Sequence, residues 1–136
     1  MYQWDTYLET GNVTVDNQHK QCMAALNNLV DAIKNGKGSD EIIKTLKFLT
    51  EYTIMHFSAE EKLMYESNYT DYSAHKRYHD EFKVTVEELT QQLINEGPTW
   101  ELMNTVTFTF EDWLINHIKG EDFRMAAFIK TRACTR

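Results

Sequence analysis

The sequence predicts an all-α fold: an antiparallel up-down-up-down four-helix bundle with an N-terminal arm and a short C-terminal helix. Three observations carry that prediction. Apolar residues recur with a helical period in four successive segments, a single proline and five glycines leave few interruptions, and the connections are short enough to make consecutive helices antiparallel neighbours. At 136 residues the chain is expected to form one domain, 1–136, with a core that needs no disulfide.

Each element has its own signal. Residues 4–11 read as an arm, and the first helix is expected to begin near Asp16 as its N-cap. It carries Cys22, Leu26, Leu29 and Ile33 on one stripe until NGKGS stops it. The second starts after Ser39, shows Ile42, Leu46, Leu49 and Thr53, and runs to about Tyr65, before the break ESNYTDYS. The third carries Phe82, Val86, Leu89 and Leu93 and ends at Gly97-Pro98, a left-handed stop followed by a residue that cannot continue a helix. The fourth opens on Thr99 as cap and shows Met103, Val106, Phe110 and Leu114, and a short helix, FRMAAFIKT, is expected after a break at Gly120.

Composition narrows the setting. Fourteen basic against twenty-one acidic side chains give a net charge of -7, with no basic cluster to follow a phosphate backbone, so no nucleic-acid partner is expected. No apolar run is long enough to span a membrane, and MYQWDTYLE lacks the basic start and apolar stretch of a signal peptide. The reading is a soluble, cytoplasmic protein without a membrane partner. Cys22 and Cys134 are too few for a disulfide framework and have no zinc-knuckle spacing. They read as one packed thiol and one tail thiol.

The five histidines extend the apolar stripes. His19 precedes Cys22 by three residues, His56 and Glu60 continue the second stripe, His75 and His79 lead into Phe82, and His117 follows Leu114. Along an antiparallel bundle, the start of the first and third helices and the end of the second and fourth lie at the same end, so the five imidazoles converge. A lone histidine on an apolar face is most often an ordinary core residue. Five beside a carboxylate are different, because burying them unpaired costs roughly 1–3 kcal/mol for each unsatisfied group. A metal would satisfy them together. With no thiolate in the cluster and more imidazoles than one tetrahedral zinc can use, the set suggests two ions, with Glu60 and Asp122 placed as anionic bridges. Such mixed ligation suits iron or manganese. The Glu-x-x-His pairs of ferritin-like sites are absent, the nearest match being Asp16-x-x-His19.

The segments WDTYLETG, VDNQH, HFSAEE, HKRYH and WLINHIKGED together resemble the hemerythrins, in particular their single-domain bacterial members. The resemblance spans nearly the whole chain. It implies two iron ions with a bridging oxo or hydroxo group: His75, His79 and His117 on one iron, His19 and His56 on the other, Glu60 and Asp122 bridging both. The first iron is then six-coordinate and the second five-coordinate, with one open position where O2 binds end-on and rests as hydroperoxide. The core's formal charge is the same before and after, which favours reversible binding in a pocket of low dielectric. Pocket walls implied by the resemblance are Phe57, Trp113, Leu114, Ile118 and Cys22. Two positions depart from the family's usual pattern: Thr10 precedes Gly11 where valine is common, and Cys22 stands where an aliphatic residue is usual. The expected function is O2 carriage, storage or sensing without catalytic turnover. The alternative is a di-iron sensor, or an enzyme reacting with peroxide or nitric oxide, at the same open site.

Overall fold

The computed structural model describes residues 4–134, with side chains to Thr131; the expected tail thiol of Cys134 lies outside the described side chains. Four long helices form the bundle: α1 (Val13–Lys34), α2 (Ser39–Glu66), α3 (Tyr72–Glu96) and α4 (Trp100–His117). A π-helical turn at Ile118–Asp122 leads into α5 (Phe123–Cys134), and an arm containing a 3-10 turn at Thr6–Leu8 precedes α1. Each long helix packs on the next, and α4 closes the ring on α1. No strand occurs among the described residues. None of the helices is long and apolar enough to cross a membrane.

The boundaries follow local chemistry. Helix α1 starts earlier than the sequence suggests: Asn12, not Asp16, is its N-cap, accepting from the Val15 backbone N–H at 3.1 Å. Asp16 sits inside the first turn and ties down the arm. Its Oδ1 accepts from Thr10 N at 2.9 Å and Thr10 Oγ1 at 2.8 Å, and its Oδ2 from Gly11 N at 3.2 Å. A carboxylate that can satisfy three donors of the arm is better used there than on one donor of the helix. Thr99 caps α4 through the Leu102 N–H, and Gly97, at φ 82°, ends α3 in a conformation a side chain would strain.

The second departure is at Gly120. The expected break is absent, and the chain stays helical from α4 into α5 through a widened turn in which the Phe123 N–H reaches the Ile118 carbonyl, five residues back. Glycine is tolerated there because each backbone group still finds a helical partner.

The core divides along the bundle axis. The half distant from the histidines is apolar and continuous, with Leu26, Leu29, Ile42, Leu46, Leu49, Phe82, Val86, Leu93, Met103, Val106 and Phe110 buried in one cluster. At the other end two smaller clusters flank the polar centre. Leu8, Cys22, Met23, Leu114 and Ile118 form one, and Val15, Met64, Tyr69 and Met125 the other. The arm and α5 thus cover the histidine end, through Leu8 and Met125.

Candidate metal centre

Helical spacing aims the site residues. On α2, His56 and Glu60 are four apart and share a face, as do His75 and His79 on α3. His117 and Asp122 are five apart, which in a regular α-helix would turn them about 140° away from each other. The π turn removes that divergence and brings both inward. His19 comes from the second turn of α1. All seven side chains are buried: His19, His75, His79 and Asp122 are 0% exposed, His56 and Glu60 1%, and His117 6%.

Their polar atoms meet in one volume. The Asp122 carboxylate lies 2.8 Å from His19 Nε2, 3.0 Å from His75 Nε2 and 3.1 Å from His117 Nε2. The Glu60 carboxylate lies 3.0 Å from His56 Nε2, 3.2 Å from His79 Nε2, and 3.4 Å from both His19 and His75 Nε2. His117 Nε2 is also 3.0 Å from His75 Nε2 and 3.1 Å from His79 Nε2. The donor atoms sort into two groups that share the carboxylates: Glu60, His75, His79, His117 and Asp122, and His19, His56, Glu60 and Asp122.

The Nε2 atoms of His75, His79 and His117 are within hydrogen-bonding distance of one another, whereas the carboxylates meet the imidazoles without hydrogen-bond geometry. Both oxygens of Glu60 and of Asp122, and Nε2 of His19 and His56, are buried with no hydrogen-bond partner. Orphaned acceptors at such density are costly, at roughly 1–3 kcal/mol each. Nitrogen atoms about 3 Å apart are, by contrast, where adjacent corners of a coordination shell fall for metal–nitrogen bonds of about 2.0–2.1 Å. The donor set therefore fits cations, three imidazoles on one side and two on the other, and the carboxylates fit the place between.

Two outer hydrogen bonds fix imidazole orientation. His56 Nδ1 donates to Gln18 Oε1 at 2.6 Å, and His79 Nδ1 donates to Glu61 Oε2 at 2.8 Å. A proton held on Nδ1 leaves the Nε2 lone pair turned inward, ready for a metal. In the metal-free protein the centre balances its charge with protons. Burial by itself would lower the pKa of His19 and of His75, but the Asp122 and Glu60 carboxylates beside them outweigh it and raise both to about 9. Burial opposes ionisation of Glu60 and Asp122 as well, yet the surrounding histidines hold both below the usual carboxylate range. His117 goes the other way: burial lowers its pKa in spite of Asp122.

The five residues expected to line a pocket fall on two sides. Cys22, Leu114 and Ile118 pack together with Leu8 and Met23. Burial pushes the Cys22 thiol up to about 12, so it is a neutral, apolar wall. Phe57 and Trp113 lie against the three-histidine group. Phe57 stacks on His79 at 3.9 Å between centroids, and Trp113 on His117 at 4.2 Å. They meet each other edge to face at 5.2 Å, and Phe82 stacks behind Trp113.

Sequence reading missed Gln18, Glu61 and Tyr69. The first two stand next to His19 and Glu60 in the chain, and a polar residue beside a ligand position was the available signal. Tyr69, buried against His75 edge to face at 6.5 Å, comes from the α2–α3 connection, where no periodicity marks it.

Known proteins resemble this chain over most of its length. The family model described as hemerythrin HHE cation binding domain matches residues 10–129. A bacteriohemerythrin of Methylococcus capsulatus (strain ATCC 33009 / NCIMB 11132 / Bath) is 37% identical over 107 residues, covering 79% of this chain and 79% of the relative. A bacteriohemerythrin of Pseudomonas aeruginosa (strain LESB58) is 31% identical over 119 residues, covering 88% and 75%. A crystal structure of wild-type hemerythrin superposes with a TM-score of 0.82 at 29% identity, covering 95% of this chain and 98% of that one.

Proposed function

Since this chain belongs to the hemerythrin family, we propose that it binds O2 reversibly at a buried non-haem di-iron centre, as a carrier, store or sensing module that performs no turnover. One observation carries the reading: five inward Nε2 atoms, divided three and two, surround two carboxylates that have no hydrogen-bond partner of their own. In this proposal His75, His79 and His117 hold one iron, His19 and His56 hold the other, and Glu60 and Asp122 bridge them together with an oxo or hydroxo group. When bound, the iron pair would supply two electrons and one open position, and a bridging hydroxide would supply the one proton needed for O2 to be held there end-on as hydroperoxide.

The chain's own residues do the rest. The unequal numbers of imidazoles leave the two-histidine side one ligand short, so the small molecule is directed there. Cys22, Leu114 and Ile118 contribute apolar wall and exclude water and anions. Phe57 and Trp113 hold the rings of His79 and His117 by stacking, so that the three-histidine side keeps its geometry. The proposed setting is the cytoplasm, with the chain acting as one domain over 1–136 and O2 as its small-molecule partner. The net charge of -7 speaks against a nucleic-acid partner, and no membrane partner is part of the proposal.

Metal analysis and visible spectra through repeated cycles of oxygenation and deoxygenation test the proposal. Two irons per chain and bands that appear with O2 and vanish without it are expected. Irreversible bleaching would favour the peroxide- or nitric-oxide-reacting alternative. A single zinc, or no metal, would end the di-iron reading.

A further inference from the structure

We infer that the outer hydrogen bonds of two ligand histidines, Glu61 with His79 and Gln18 with His56, polarise the site, placing negative charge behind the three-histidine iron and a neutral amide behind the two-histidine iron. The inference rests on the di-iron reading above.

The two contacts are alike in geometry and unlike in charge. Each joins a ligand imidazole's Nδ1 to a side-chain oxygen on a neighbouring helix, at 2.8 Å for Glu61 and 2.6 Å for Gln18. Glu61 is a carboxylate with its side chain 14% exposed. Lys76, whose charge is felt together with that of Glu61, is committed to Asp80 at 2.8 Å. Gln18 is an uncharged amide in the wall of a cleft of about 260 Å³ between α1 and the end of α2, which Glu60 also lines. Nδ1 of His19 and of His75 have no hydrogen-bond partner among the described residues. Among these four imidazoles only that of His79 therefore has an anion behind it.

A carboxylate that accepts the Nδ1 proton makes the opposite nitrogen a stronger donor, whereas an amide carbonyl does so less. His79 then donates more electron density than His56 does. The ferric state gains on the three-histidine side, and the two-histidine iron keeps the stronger pull on an incoming small ligand. Glu61 and Gln18 are positioning residues on this view, since neither touches the metal volume.

Glu61→Gln and Gln18→Glu test it, because each keeps an acceptor at the same place and changes only its charge. The measurements are the midpoint potential of the iron-loaded protein by spectroelectrochemistry and its iron(II) affinity by chelator competition. Glu61→Gln is expected to raise the midpoint, by about 59 mV per electron if the ferric preference falls tenfold, and Gln18→Glu to lower it. Glu61→Ala, which removes the acceptor, is expected to lose about 10–100-fold in iron affinity. Midpoints equal to the native one in both charge variants, with two irons and the visible bands intact, overturn the inference while leaving the O2-binding reading standing. Shifts of the same sign in both variants overturn it too. A native chain that takes up no iron pair overturns both.

Discussion

Leu114 reads as ordinary core, and under the proposed function it would also keep water from the metal centre. It is 6% exposed, one helical turn before His117, and packed with Cys22 and Ile118 beside the centre. An amide in its place would bring a hydrogen-bonding group, and with it water, to a wall that is otherwise apolar. Leu114→Asn is expected to raise the autoxidation rate of the iron-loaded protein, read as decay of the visible bands in air. A rate equal to the native one would show that Leu114 does not keep water from the centre. Cys22 differs in kind from a reactive thiol: with burial holding its proton on, alkylating reagents are expected to leave it unmodified in the folded protein and to modify it after denaturation.

At the scale of elements, the entry to α1 and the exit from α4 decide how well the site is assembled. Asp16 joins the arm to the helix that carries His19, and it satisfies three donors of Thr10 and Gly11. Asp16→Ala would strand those part-buried groups at a cost of about 1–3 kcal/mol, and it would loosen the arm that delivers Leu8 to the wall beside Cys22. Asn12→Ala removes only a cap and is expected to cost about 0.5–2 kcal/mol. Chemical denaturation of the two variants separates these roles, and an Asp16→Ala loss no larger than a surface substitution's would contradict the anchoring role. The exit from α4 depends on the π turn, since it alone brings His117 and Asp122, five residues apart, to one face.

The whole molecule couples its stability to the protonation and loading of this centre. In the metal-free protein His19 and His75 have pKa values raised from 6.5 to about 9. The stability they contribute is therefore complete below pH 6.5 and is lost as the pH rises toward 9. Glu60 and Asp122 are shifted downward from 4.5 and 3.8, so their contribution is present above those values and is lost as the pH falls below them. The metal-free protein is expected to melt at progressively lower temperature between pH 6.5 and 9. A bound metal would take the place of the protons, so loaded protein is expected to melt higher, by about 2.7 kcal/mol of added stability at a hundredfold excess of free metal over its Kd. Thermal melts across that pH range, with and without metal, check both expectations, and a flat metal-free profile would contradict the first.

What the sequence determined by itself was the pattern that is periodic. Leu26, Leu46, Val86 and Val106 lie on stripes that can only be buried against one another, and His19, His56, His75, His79 and His117 extend those stripes to a common end. Local stops such as Gly97-Pro98 were equally legible, because they act within a few residues. Tertiary structure decided what depends on neighbours distant in the chain. Asp16 chose the arm over the helix start because Thr10 and Gly11 offered it more donors. Gly120 stayed helical because a widened turn keeps its neighbours bonded. Glu61 and Gln18 found their histidines on other helices. Periodicity reports which face a residue is on, whereas the partner it meets there is set only once the helices have packed.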